Sequence, residues 1–154
     1  MAKTIPFSRN TQAARERSAK RMLLPLPRRV ADELALQIHV ALDALRRGNG
    51  CSSDAQKMTQ VMLLAAFLAE AGYGTLTNEA LRSADALIAG CFERGRESGV
   101  WRLDEAGCRA FAEIATIYDH QLQKAPLWAV TEASDRLDRF SAGEPLPAIA
   151  RKRA

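Results

Sequence analysis

Few side chains of this sequence could carry catalysis or bind a metal. The only histidines are His39 and His120, and each falls within a segment whose pattern is helical. A carboxylate-bridged metal site in a helical bundle needs a glutamate three residues before a histidine on two helices. Leu36 and Ile117 hold those positions, so the sequence excludes this kind of site. We expect two surface or half-buried histidines, and neither a metal nor a cofactor.

The three cysteines are the other candidates for chemistry. Cys51, Cys91 and Cys108 are an odd number, are widely spaced and form no CxxC pair. This spacing argues against a disulfide framework and a structural zinc site, and it favours a reducing cytoplasm. The glycine-rich phosphate loops and the HExxH and GxSxG motifs of common enzyme classes do not occur in the sequence. We therefore predict a cytoplasmic protein that is not an enzyme and has no catalytic residue.

Charge is distributed unevenly along the chain. Residues 1–29 carry eight bases and one acid, whereas residues 30–150 carry eleven bases and seventeen acids. Residues 151–153 add three more bases at the other end. Basic arms neutralise phosphates without a shaped site and with little sequence preference. The predicted nucleic-acid-binding residues are Arg15, Arg17, Lys20, Arg21, Arg28 and Arg29.

A continuous apolar run lies near the middle of the sequence. Residues 61–69 follow one another without a polar side chain, whereas a surface helix alternates apolar and polar residues with a period of about 3.6. The run is far shorter than the roughly 20 residues of a membrane span. Its Ala, Leu and Met residues favour a helix over a strand. We predict a central helix that is buried on most sides.

Four further helical patterns accompany this run. Prolines that suit a first turn, Pro27 and Pro126, and glycines that end a helix, Gly48 and Gly72, set the approximate bounds. Five helices on short connections predict an all-α fold, a compact bundle. The predicted helices cover about 27–47, 53–71, 78–98, 103–125 and 126–142.

The bundle domain is predicted to span residues 22–143. It lies between a basic arm at 1–21 and a loose basic tail at 144–154. The arm is polar and has no apolar periodicity, so we expect it to be disordered alone and able to become helical on a partner.

The predicted apolar stripes identify residues that should be buried in the bundle. These include Val30, Leu64, Phe67 and Phe140. The third predicted helix contains two glycines, which weaken a helix by up to about 1 kcal/mol each. They indicate either a close approach between helices or an earlier end of this helix. The two positions are Gly90 and Gly95.

The second and third predicted helices have the outline of a helix-turn-helix. A recognition helix needs basic or amide side chains for phosphates and base edges. Asn78 and Arg82 would serve, but Glu79 and Asp85 oppose them, and the preceding helix is too apolar to lie across a DNA backbone. We therefore place the nucleic-acid contact in the arm.

Two segments, LPLPRRVADELALQIHVALDALRRG and MTQVMLLAAFLAEAGYG, resemble an uncharacterised group of short, basic-tailed bacterial proteins. Such sequences often carry the label Fis-family transcriptional regulator. The resemblance covers about residues 22–75, and it implies a bacterial DNA-binding regulator with a C-terminal helix-turn-helix. The sequence departs from this pattern, because residues 126–154 hold one short helix followed by Gly143, Pro145 and Pro147. No recognition helix can be placed there, so no functional residue is carried over.

Two functions are compatible with these features. The leading interpretation is a non-enzymatic bacterial regulatory or accessory protein that contacts nucleic acid through its basic termini. The alternative is a protein–protein interaction module, an adaptor or inhibitor, in which the acidic body or the basic arm docks on another protein. A membrane-surface role is disfavoured because the arm lacks a bulky apolar face. The oligomeric state stays open, and exposure of Trp101, Leu127 and Trp128 would indicate a homodimer face.

Overall fold

Six helices make up the part of the chain that a computed structural model describes, residues 7–143. The predicted all-α fold is confirmed, but the predicted number of about five helices is wrong by one. The tail at 144–154 and residues 1–6 of the arm lie outside the described residues. The helices are α1 (Phe7–Leu23), α2 (Arg28–Arg47), α3 (Ser52–Glu70), α4 (Asn78–Ser98), α5 (Glu105–Lys124) and α6 (Leu127–Ser141).

The additional helix is α1, which forms from residues predicted to be disordered alone. Its sequence has no apolar stripe, but four arginines and three alanines favour a helix. The helix ends before Pro25 and Pro27, which cannot continue it. It packs against α6, and the backbone N–H of Leu127 donates to the carbonyl of Leu24 at 2.8 Å. Local helix propensity therefore outweighs the missing apolar stripe.

The helix predicted from the apolar run, α3, lies at the centre of the molecule. It packs against α2, α4, α5 and α6, because its apolar run at 61–69 has no polar face to turn towards solvent. Met58, Val61 and Leu68 are almost fully buried. Asp54 caps its first turn, because the carboxylate accepts a hydrogen bond from the backbone N–H of Cys51 at 3.0 Å. The prediction of a buried central helix is confirmed.

The other four helices begin and end within two residues of their predicted bounds. Gly48 ends α2 with a φ of 77°, a left-handed conformation that glycine adopts without strain. The hydroxyl of Thr77 accepts a hydrogen bond from the backbone of Ala80 and so caps α4. The carboxylate of Asp104 caps α5 in the same way, at 2.7 Å from the Gly107 nitrogen. Among residues 7–143, no helix has both the length and the apolar character to cross a membrane.

Of the four predicted core residues named above, Phe67 is confirmed, Leu64 is confirmed in part because it packs against the core, and Val30 and Phe140 are wrong. Phe67 is buried, but Leu64 is only half-buried, and Val30 and Phe140 are exposed. Val30 and Phe140 lie in the terminal turns of α2 and α6. Fewer neighbouring helices can cover the apolar stripe there.

Gly95 marks a close approach, but to Trp101 in the connection between α4 and α5 rather than to another helix. The predicted alternative of an earlier helix end is wrong. Gly95 is buried in α4, which continues to Ser98. A Cβ atom at Gly95 would overlap the indole ring of Trp101, which also meets Phe92 edge-on at 5.6 Å. Trp101 is therefore half-buried as part of the packing rather than exposed for a partner.

Candidate nucleic-acid interface

Four of the six predicted phosphate-binding residues lie on α1. Arg15, Arg17, Lys20 and Arg21 are exposed, as is every residue from 11 to 21. Helix positions three and four apart lie side by side on one face. Arg17, Lys20 and Arg21 therefore share one face of α1, whereas Arg15 lies on the opposite side. We call Arg17, Lys20 and Arg21 the α1 basic face.

The charges of the α1 basic face are not neutralised by its neighbours. Glu16 is the only acid of α1, and it forms no ion pair with Lys20 one turn later. Within residues 11–143, no carboxylate forms an ion pair with any of these bases. The Nε–H of Arg17 donates to the backbone carbonyl of Ala13 at 3.2 Å, which leaves its charge uncompensated. This face can therefore attract phosphates.

The other two predicted residues lie elsewhere and have partners. Arg28 and Arg29 form the first turn of α2, beyond the segment that connects it to α1. Arg28 lies 3.8 Å from the carboxylate of Asp32, and Arg29 lies 3.2 Å from that of Glu33. Such exposed pairs are weak, but each one cancels the local positive charge. The structure does not join these two arginines to the α1 basic face.

The start of α4 presents charges of both signs. Asn78 and Arg82 are exposed, as a recognition helix would require. Glu79 and Asp85 are exposed beside them. This surface lacks the net positive charge of the α1 basic face.

Sequence reasoning missed a contact between α2 and α5. The Nε2 atom of His39 lies 2.7 Å from Oδ2 of Asp119, although 80 residues separate them in sequence. The other carboxylate oxygen of Asp119 is buried without a hydrogen-bond partner among the described residues. No local pattern could have revealed this pair. It links the two helices along their exposed seam.

His39 also borders a cavity of 490 Å³ between α2 and α5, together with Cys108. A nucleophilic cysteine must be a thiolate. Burial raises the pKa of the Cys108 thiol, and its sulfur lies 3.7 Å from the Leu103 carbonyl oxygen, to which it donates. The thiol is therefore protonated near neutral pH, and the geometry suits a structural contact. No cluster of three or more metal-binding side chains occurs among residues 7–143.

Comparison of the chain with protein-family models, curated proteins and solved structures finds no match in any of the three. The similarity to proteins labelled as Fis-family regulators therefore remains a resemblance.

Proposed function

We propose that the protein is a non-enzymatic bacterial regulatory or accessory protein that contacts nucleic acid through the α1 basic face. The supporting observation is that three bases share one side of an exposed stretch of helix and that, within residues 11–143, none of the three lies in an ion pair. Six of the eleven arginines of the body (residues 28–143) each lie in an ion pair, and the other five are spread over α4, α6 and the connection before α5. The six paired arginines are Arg28, Arg29, Arg46, Arg47, Arg109 and Arg136.

Phosphate binding would also stabilise α1 itself. Arg17 and Arg21 are like charges at positions i and i+4, an arrangement that costs a helix about 0.2–0.5 kcal/mol. A phosphate between them turns this repulsion into attraction. Most of the stability of a helix in a protein comes from tertiary packing, and α1 has little of it because every residue from 11 to 21 is exposed. Nucleic acid is thus a partner that would reinforce the helical form of the arm.

The proposed binding is not selective for sequence. Arginine and lysine side chains on a flexible or exposed helix contact the backbone, which carries no sequence information directly. The phosphates of the duplex would repel the acidic body, so the contact would stay limited to the α1 basic face. We place this activity in the cytoplasm, since Cys51, Cys91 and Cys108 are all free thiols.

Fluorescence anisotropy with labelled duplexes tests the proposal. The full chain should bind two unrelated sequences with similar affinity, and deletion of residues 1–21 should abolish binding. The proposal fails if the truncated protein still binds. Tight binding of one sequence by the truncated protein would instead identify Asn78 and Arg82 on α4 as the candidate DNA-binding residues.

A protein–protein interaction module is the second candidate, and the outer face of α2 favours it. Leu36 is 63% exposed and Val40 59%, at positions i and i+4 on the side turned away from the core. Contiguous exposed apolar patches mark interaction sites, and this pair would form part of one. This function predicts a protein that stays bound after nuclease treatment and is lost in a Leu36→Ser, Val40→Ser variant. Retention of the partner by that variant would contradict it.

A further inference from the structure

A second pocket lies between the end of α3 and the first three turns of α6. Its volume is 310 Å³, and its walls include two aromatic rings, two glutamates and one arginine. Alanines of both helices form the rest of the lining. The side chains that decide its chemistry are Phe67, Glu70, Trp128, Glu132 and Arg136.

One half of this pocket already holds a cation. The guanidinium carbon of Arg136 lies 4.0 Å from the centroid of the Phe67 ring, within the range of a cation–π contact. Its Nη1 lies 2.8 Å from a carboxylate oxygen of Glu70. The ring and the carboxylate together neutralise and position the guanidinium.

The other half repeats the same combination of an aromatic ring and a carboxylate. Trp128 and Glu132 are four residues apart on α6, so an indole ring and a carboxylate lie side by side. Trp128 is 38% exposed, and its ring meets that of Tyr73 edge-on at 6.4 Å. Glu132 is exposed and forms no ion pair with any base of residues 11–143. Because Glu70 balances Arg136, the described residues that line the pocket carry one net negative charge, that of Glu132.

We propose that this pocket binds an arginine or lysine side chain presented by a basic segment of a partner protein. The cation would lie over the indole of Trp128 and pair with Glu132. Tryptophan is the strongest aromatic partner for such a cation, and it is among the residues that anchor interfaces. The pocket accommodates one long side chain, not a folded element. This site is separate from the α1 basic face and does not depend on nucleic-acid binding.

Tryptophan fluorescence can test this site. A Trp101→Phe variant leaves Trp128 as the only tryptophan of the chain. The probe is the tripeptide acetyl-Ala-Arg-Ala-amide, compared with the same peptide carrying citrulline, which keeps the shape but not the charge. We expect a saturable change in Trp128 emission with the arginine peptide and a much weaker one with citrulline. If Trp101→Phe does not fold, the indole N–H signals of ¹⁵N-labelled wild type report the two tryptophans separately.

Matched variants on α6 separate this site from general attraction to acidic surface. Glu132→Gln should weaken binding of the arginine peptide about three- to fivefold, as expected for one exposed ion pair. Asp138→Asn, on the same helix but outside the pocket, should leave the affinity unchanged. Equal binding of the citrulline peptide, equal weakening by Asp138→Asn, or no saturable signal would overturn the proposal. A gain in affinity on deletion of residues 144–154 would also overturn it, by identifying the chain's own tail as the occupant.

Discussion

Gln121 joins α5 to α3, and its replacement by methionine should destabilise the fold measurably. Its side chain is 2% exposed, and Nε2 donates to the carbonyls of Ala65 at 2.9 Å and Tyr73 at 2.8 Å. A hydrogen bond contributes about 1 kcal/mol net, and a buried acceptor left unpaired costs about 1–3 kcal/mol. The carbonyl of Ala65 still accepts the backbone hydrogen bond of its own helix, so the carbonyl of Tyr73 is the acceptor that is left without a partner. We expect Gln121→Met to lower the free energy of unfolding by about 1–3 kcal/mol.

Gln121→Glu tests whether the donor matters rather than the volume. The carboxylate has the same shape, but it would face two carbonyl oxygens with nothing to donate. An uncompensated buried charge costs about 3–5 kcal/mol, so this variant should be less stable than Gln121→Met at pH 7. Burial raises the pKa of the introduced glutamate in the folded state, so its deficit shrinks as the pH falls and the proton returns.

Urea unfolding at pH 7 and pH 5 measures both effects for the Gln121 variants. Gln123→Glu, exposed two residues later on α5, serves as the control and should stay close to wild type at both pH values. Gln121→Glu should recover part of its deficit at pH 5. A smaller loss for Gln121→Glu than for Gln121→Met, or no dependence on pH, would refute the role of the amide as a donor.

Two further predictions concern packing and alkaline stability. Gly95→Ala should lower the free energy of unfolding by about 1–3 kcal/mol, because its Cβ would overlap Trp101, while Gly90→Ala, near only a flexible side chain, should be neutral or stabilising. Thermal unfolding measures the stability of both variants, and a Gly90→Ala variant less stable than Gly95→Ala would contradict this prediction. Burial raises the pKa of Tyr118 to about 12, from 10.0, so its contribution to stability is complete below pH 10 and is lost as the pH rises through 12. In the Tyr118→Phe variant, the free energy of unfolding should fall less steeply between pH 10 and 12, by at most about 1.4 kcal/mol per pH unit. The same pH dependence of stability in the variant and the wild type would contradict this prediction.

The helices of the body could be placed from the sequence because their ends carry residues with narrow preferences. Gly48 takes the left-handed conformation that ends α2, and Thr77 and Asp104 supply the oxygens that cap α4 and α5. The apolar run of α3 identified the core for a related reason, since no polar face remained to meet solvent. α1 was missed because it is exposed over residues 11–21 and needs no apolar stripe there, so propensity and a contact with α6 support it.

Contacts between distant residues could not be predicted in this way. His39 meets Asp119, and Gln121 meets Tyr73, through the packing of helices far apart in sequence. The pairs of Arg28 with Asp32 and of Arg29 with Glu33 are local, because the two members of each pair lie one turn apart on α2, and the sequence could have indicated them. The same spacing between Glu16 and Lys20 gives no ion pair, so spacing alone does not separate paired from unpaired bases.

The salt dependence of duplex DNA binding tests most directly whether the α1 basic face holds phosphates. Each phosphate contact contributes about −0.9 to the slope of log affinity against log salt. Other bases of the chain can add contacts, so the change in slope between variants is the quantity to measure. The triple variant Arg17→Gln, Lys20→Gln, Arg21→Gln should reduce the magnitude of the slope by about 2.7.

The matched control for that measurement is Arg28→Gln, Arg29→Gln, which removes charges that are already paired with acids. We expect this double variant to change the slope much less for each base removed. Circular dichroism of both variants should show unchanged helix content, because glutamine favours a helix nearly as well as arginine and lysine. An unchanged slope in the triple variant, or an equal change for each base in the double variant, would contradict the proposed interface.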